Sequence, residues 1–212
     1  MESKRIFADQ IRFVVGQAFS DVPANLALAL VVVFVYWPVC CHRNLLTWLG
    51  IMTLGVLARL IISIPRTRSL LKLNDDHLWF KIYLPLTSGF GVLWGAAGIL
   101  FFVHGQLEYQ LFIAILLAGI VSGAVSSLPV FLNVYYIFLY SIMVQITSLL
   151  LSQESTLGLG MGILCSFYIF YHTMSAHRSH HLILEALSSR HKTELLARID
   201  VLTGIANRRA FN

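Results

Sequence analysis

Apolar residues run along this chain in six stretches separated by short polar breaks: about Val22–Cys41, Asn44–Ile64, Ile82–Val103, Tyr109–Leu128, Val130–Leu151 and Thr156–Ser175. Each approaches the roughly 20 apolar residues with which a helix crosses a bilayer. None alternates like a barrel strand, and in lipid a helix satisfies its backbone amides within its own segment. The pattern predicts an all-α polytopic membrane protein, with six transmembrane helices occupying residues 22–175.

The flanks read differently. Residues 1–21 mix charge with apolar positions, and Ile11, Val14, Val15 and Ala18 share one face at helical spacing. That is the pattern of an amphipathic helix lying on a membrane surface. A cleaved signal peptide is not expected there, because Lys4, Arg5 and Arg12 are interleaved with Glu2, Asp9 and Asp21 and no short apolar core follows. Beyond the sixth span, residues 176–199 read AHRSHHLILEALSSRHKTELLARI, with Leu184, Leu187, Leu195 and Ile199 at helical intervals. The last helix is therefore expected to extend out of the membrane as a linker or signalling helix. Leu184, Leu187, His191 and Leu195 are too few and too mixed to establish a coiled coil.

Composition sharpens this picture. Hydrophobic residues make up 58% of the chain and charged residues 12%, about half the charged share of a soluble domain, roughly 25%. A disordered chain, a nucleic-acid binder and an ordinary cytosolic enzyme are excluded. Three cysteines cannot build a disulfide framework. The net charge of +5 matters through its placement: 13 of 15 basic residues fall on one side if both termini are cytoplasmic. Arg43 and Arg59 are the exceptions, and the basic bias places both ends inside.

The final residues carry a motif. Asp200 to Phe211 reads D-V-L-T-G-I-A-N-R-R-A-F. This resembles the D-x-L-T-G-L-x-N-R-R-x-F opening of GGDEF domains, the diguanylate cyclase fold, with Ile205 in place of the usual leucine. Thr203-Gly204 is a turn signal, and Asn207 is placed to cap a helix beginning at Arg208. The six spans are also similar, in layout and in features such as Trp37-Pro38, to membrane-associated sensor regions attached to these cyclases.

The resemblance implies a larger protein that condenses two GTP molecules into cyclic di-GMP, using Mg2+ and two subunits face to face. It further implies a homodimer in the bacterial inner membrane. The family's metal-binding carboxylates, guanine contacts and GG(D/E)EF turn are expected downstream of Asn212. Residues 200–212 are then only the domain's start, with no cofactor and no catalysis of their own, and GTP meets the protein only through the missing part. The alternative is a non-catalytic receptor for a small hydrophobic signal, acting through partner proteins. A transporter fits poorly, since the spans hold a single charge. A histidine kinase is excluded by the cyclase-like tail.

Four residues stand out as ligand-binding candidates: Arg59, Trp94, Asn133 and Gln145. Arg59 lies five residues from the end of span two. It either snorkels to the headgroups, closes an interior polar cluster or holds an anionic ligand head. Trp94 falls mid-span among glycines, where it plugs a gap or floors an apolar pocket. Asn133 and Gln145, with Ser122, Ser126 and Ser127, either glue helices or line a cavity. Gly91/Gly95, Gly119/Gly123 and Gly158/Gly162 permit close helix approach within the chain or between copies. Cys40, Cys41 and His42, near His104 and Glu108, offer soft metal ligands or lipid-interface groups. His172, His177, His180 and His181 suggest a basic collar, a metal pair or a pH sensor. Trp37, Trp48 and Trp79 are expected in the aromatic belts.

Overall fold

The computed structural model describes residues 2–64 and 76–196. Among these no strand occurs, and the order is α1 (Glu2–Tyr36), α2 (His42–Ser63), α3 (Asp76–Leu100), α4 (Leu107–Ala124), a 3₁₀ turn (Leu128–Phe131), α5 (Leu132–Leu151) and α6 (Thr156–Leu196). The GGDEF-like residues 200–212 lie outside the described residues, as does the end of the expected linker helix. Local chemistry sets several boundaries. Trp37 precedes Pro38, which disfavours helical backbone at Trp37, and α1 stops at Tyr36. Gly105 takes a φ of 76° in the turn before α4, a conformation open to glycine.

Among the described residues, five helical stretches are long and apolar enough to cross a membrane: His42–Ser63, His77–Leu100, Leu107–Ala124, Leu128–Leu151 and Thr156–Arg190. The expected first span lies within the 35-residue helix α1, whose apolar part among the residues described in full is Pro23–Tyr36. The amphipathic segment is continuous with the first apolar stretch in one helix, and Ile11 and Val14 are buried with Ile62, Trp79, Tyr83 and Val130. Protein covers that face; the side chain of Ala18 lies outside the described residues.

The α5 helix sits centrally, packed on α3, α6 and, less extensively, α4, while α2 bridges α1 and α3. Lipid tails are as apolar as leucine, so close packing and interhelical hydrogen bonds hold such a bundle together. The α3–α5 seam shows how close. A Cβ at Gly91 would lie 2.9 Å from Phe138 Cα, and one at Gly95 would run into the Ser141 carbonyl. Gly158 and Gly162 fit similarly against Gln153 and Leu151. Gly119 and Gly123 of α4 face open space.

Two of the expected belt tryptophans are core residues. Trp48 is buried and donates its indole N–H to the Leu93 carbonyl at 2.9 Å. Trp79 is buried, stacks on Tyr83 and donates to the Ile62 carbonyl at 3.0 Å. Each indole thereby satisfies its one donor inside the protein. Trp37 is exposed.

Candidate functional site

Arg59 is buried on α2, with 6% of its surface exposed. Its Nη2 donates to the Tyr83 hydroxyl at 3.0 Å and lies 3.4 Å from Asp21 Oδ2. The guanidinium also rests 5.5 Å and 5.6 Å from the ring centres of Tyr83 and Phe90, a cation–π arrangement. The side chain therefore turns inward rather than out to headgroups. The Asp21 backbone carbonyl accepts from Asn25 Nδ2 at 2.8 Å, and Asn25 Oδ1 accepts from the Trp94 indole at 3.0 Å. Arg59 and Trp94 are thus joined through two polar residues of α1.

This cluster borders a cavity of about 180 Å³. Asp21 and Asn25 of α1, Arg59 of α2 and Thr87 of α3 supply polar wall; Phe90 and Phe138 supply aromatic wall. Its remaining side is formed by α4 through Gly119 and Gly123 and by Ser127 and Leu128 at the 3₁₀ turn. Two polar atoms of residues that line it, Arg59 Nε and the Thr87 hydroxyl, are buried with almost no accessible surface and have no hydrogen-bond partner among the described residues, an uncommon state for buried polar groups.

The cavity exists because α1 and α4 part. At the end of the bundle carrying the α1–α2 and α3–α4 turns (the hairpin end), Tyr36 donates to the Tyr109 carbonyl at 2.6 Å and packs on Tyr109 and Phe112. Toward the opposite end, where the last helix leaves the bundle (the tail end), the two helices separate around Asp21, Asn25, Gly119 and Gly123.

A second polar network ties α4 and α5 to α6. The Tyr135 hydroxyl lies 3.0 Å from His172 Nδ1, and His172 Nε2 lies 3.5 Å from Ser122 Oγ. Ser122 Oγ is 2.8 Å from the Tyr168 hydroxyl, which donates to the Ala118 carbonyl. Ser122 adjoins Gly123 of the cavity wall, so the network begins where the cavity ends.

The other candidates separate. Trp94 is fully buried, edge-on to Trp48, and reaches the cavity only through Asn25. Asn133 is exposed on α5. Gln145 is half-buried beside Gly95 with Oε1 unpaired, and it is absent from the cavity wall. The four histidines do not converge. His172 faces Tyr135, His180 bonds the Pro129 carbonyl at 2.7 Å, and His177 pairs with His181 at 3.2 Å.

His42 stacks on Trp37 and engages its carbonyl at 2.9 Å. Among the described residues no group of three or more His, Cys, Asp or Glu side chains is arranged to hold a metal. In the same turn, backbone amides of Asn44 and Arg43 at the start of α2 hold the Cys41 thiol below its ordinary pKa. Burial and the neighbouring Cys41 push Cys40 up.

Sequence reading missed Asp21, Asn25, Tyr83 and Thr87. A signal for the first existed. Asp21 lies 15 residues before the end of α1 and Arg59 lies 17 after the start of α2. In an antiparallel pair those counts put the two charges at nearly one level, within about 3 Å by helical rise. Comparison with protein-family models, curated proteins and solved structures gives no match to this chain.

Proposed function

We propose that this chain is the sensor and dimerisation module of a diguanylate cyclase in a bacterial inner membrane, with both termini cytoplasmic. In this reading the apolar half of α1 completes a sixth span. The observation that carries it is α6, helical from Thr156 to Leu196 as far as it is described, with the D-V-L-T-G-I-A-N-R-R-A-F motif starting four residues later in the sequence. At 1.5 Å per residue its 41 residues measure about 60 Å, roughly twice the hydrocarbon thickness of a bilayer. A helix of that length embeds one half in the bundle and presents the other to a following domain.

The same helix holds the His172 network, which abuts the cavity. A ligand that changes the spacing of α1 and α4 would move Ser122, and with it the hydrogen bonds that fix the rotation of α6. The apolar residues Ile163, Phe167, Phe170 and Met174 of α6 are exposed at 4-3-4 spacing. They suit a seam between two copies, and cyclase chemistry needs two subunits.

The test is to sequence the source gene past codon 212 and assay the full-length product for GTP turnover. A continuing frame with GG(D/E)EF, on the order of 150 residues further, together with cyclic di-GMP synthesis, is the expected result. A frame without that motif would contradict the cyclase reading and leave the cavity and α6 as parts of a receptor acting through other proteins.

A further inference from the structure

We infer that His177 and His181 of α6 form half of a zinc site, completed by the same two residues of a second copy of the chain. The inference deepens the dimerisation reading above and rests on it for the second pair of ligands. One chain supplies the first pair. The two Nε2 atoms lie 3.2 Å apart, on residues one helical turn from each other. Two imidazole nitrogens bound to one tetrahedral ion at about 2.0–2.1 Å stand about 3.3–3.4 Å apart. The ring centres are separated by 4.7 Å. A head-on N–H···N bond of the same length would hold them about 5.5 Å apart, so the rings are bent off the N···N line, as two ligands of one ion are. Both side chains are exposed, which leaves an ion free to approach.

Two nitrogens do not make a site. Among the described residues no third His, Cys, Asp or Glu joins the pair, and a structural zinc ion takes four donors. The face of α6 shows where the other two come from. Stepping back from His181 and His177 by threes and fours reaches Met174, Phe170, Phe167 and Ile163, all exposed. Stepping forward in the same rhythm reaches Leu184 and Ser188. The histidines thus hold consecutive core positions of the seam on which two parallel α6 helices meet. The opposite face is already taken: His172 and Ala176 are buried, and Ile183 packs on the cluster around Trp79. Of the five apolar stretches able to span a membrane, this one is the least buried by its own chain.

A two-fold axis along that seam brings both pairs to one point and gives four nitrogens around one ion. Each imidazole keeps its proton on Nδ1 and offers Nε2. A square arrangement of the same bonds, as Cu2+ or Ni2+ prefers, would set neighbouring nitrogens about 2.9 Å apart, farther from the observed spacing than the tetrahedral value. Glu185 follows one turn beyond His181, exposed, and places negative charge near the cation. An ion held there clamps the two α6 helices beyond their apolar seam, so zinc favours the dimer by mass action.

The experiment titrates Zn2+ into the chain, free of any histidine tag, in lipid–detergent micelles. Bound metal is read by competition with a chromophoric chelator and mass by sedimentation equilibrium, with Co2+ as the spectroscopic probe. One Zn2+ per two chains is expected, with dimerisation strengthened at least about tenfold and the intense visible absorption of tetrahedral Co2+. His177→Ala and His181→Ala should each weaken uptake at least about a hundredfold while unfolding at the wild-type temperature without metal. His180→Gln, whose side chain engages the Pro129 carbonyl instead, should leave uptake unchanged. One Zn2+ per chain, uptake unaltered in both alanine variants, or the weak absorption of octahedral Co2+ overturns the shared site. A chain that dimerises but takes up no Zn2+ overturns the site and leaves the dimer reading standing. A chain that stays monomeric with and without Zn2+ contradicts both.

Discussion

The two ends of the α1–α4 pair are built on opposite principles. At the hairpin end, Tyr36 fills the space between the helices, packs on Phe101, Tyr109 and Phe112, and spends its hydroxyl on a backbone carbonyl. At the tail end the same two helices stand apart, with glycines on one side and a charged pair on the other. The first end has its polar groups satisfied and its volume filled. The second holds a cavity and leaves two buried groups, Arg59 Nε and the Thr87 hydroxyl, without a partner. The closed end is built for stability; on the sensory reading proposed above, the open end is where a ligand would act, because it holds unfilled space.

Replacing the closed end should have the largest effect. Tyr36→Ala removes a fully buried ring and its hydrogen bond. The transfer part of the usual core penalty is small in lipid, so the cavity and lost contacts dominate, about 2–3 kcal/mol. Thermal unfolding in nanodiscs should show this, and a wild-type unfolding temperature would contradict the assignment of Tyr36 as the clasp.

Arg59→Met should cost less. It strands Asp21, whose side chain is about one-third exposed and so keeps some solvent, and it removes one hydrogen bond to Tyr83. About 1 kcal/mol is expected, measured in the same way. A loss as large as that of Tyr36→Ala would mean that the open end also carries the fold.

Thr87→Val should be neutral, or stabilising by up to about 1 kcal/mol, because the hydroxyl it deletes is buried and unpaired. A clear destabilisation would show that the hydroxyl has a partner.

The smallest effect is chemical, and it orients the closed end. Cys41 should react with a membrane-impermeant maleimide from outside the cell and faster than Cys40. Its lowered pKa gives it a larger thiolate fraction at neutral pH, and the thiolate is the nucleophile. Mass spectrometry after brief labelling of Cys40→Ser and Cys41→Ser variants separates the two sites. Labelling only after permeabilisation would reverse the topology.

The sequence made the helices legible and left their relations hidden. Apolar runs show where α2 to α6 lie, because length and hydropathy are local properties. The amphipathic segment was harder to read, since it forms one helix with the first apolar stretch and buries Ile11 and Val14 against other elements. Trp48 and Trp79 were misplaced for the same reason: an indole near a helix end suits an interface equally well until a partner carbonyl from another helix is known. Arg59 was visible as an isolated charge, but its partners Asp21 and Tyr83 come from two other helices. Thr87 carried no signal, because a threonine within an apolar run becomes notable only when its hydroxyl proves unpaired. Identical glycine spacings in α3, α4 and α6 concealed opposite uses, two as packing surfaces and one as an open edge.

The central claim is that α6 carries the state of the bundle to a following catalytic domain by its rotation. Insertions after Ser188 in the full-length protein test it most directly, with cellular cyclic di-GMP as the readout. Two added residues turn everything beyond them by about 200°, while seven return the helix to within about 20° of its original phase. The account predicts that two residues change output by about tenfold or more and that seven restore it. Equal output from wild type and both insertions would contradict it.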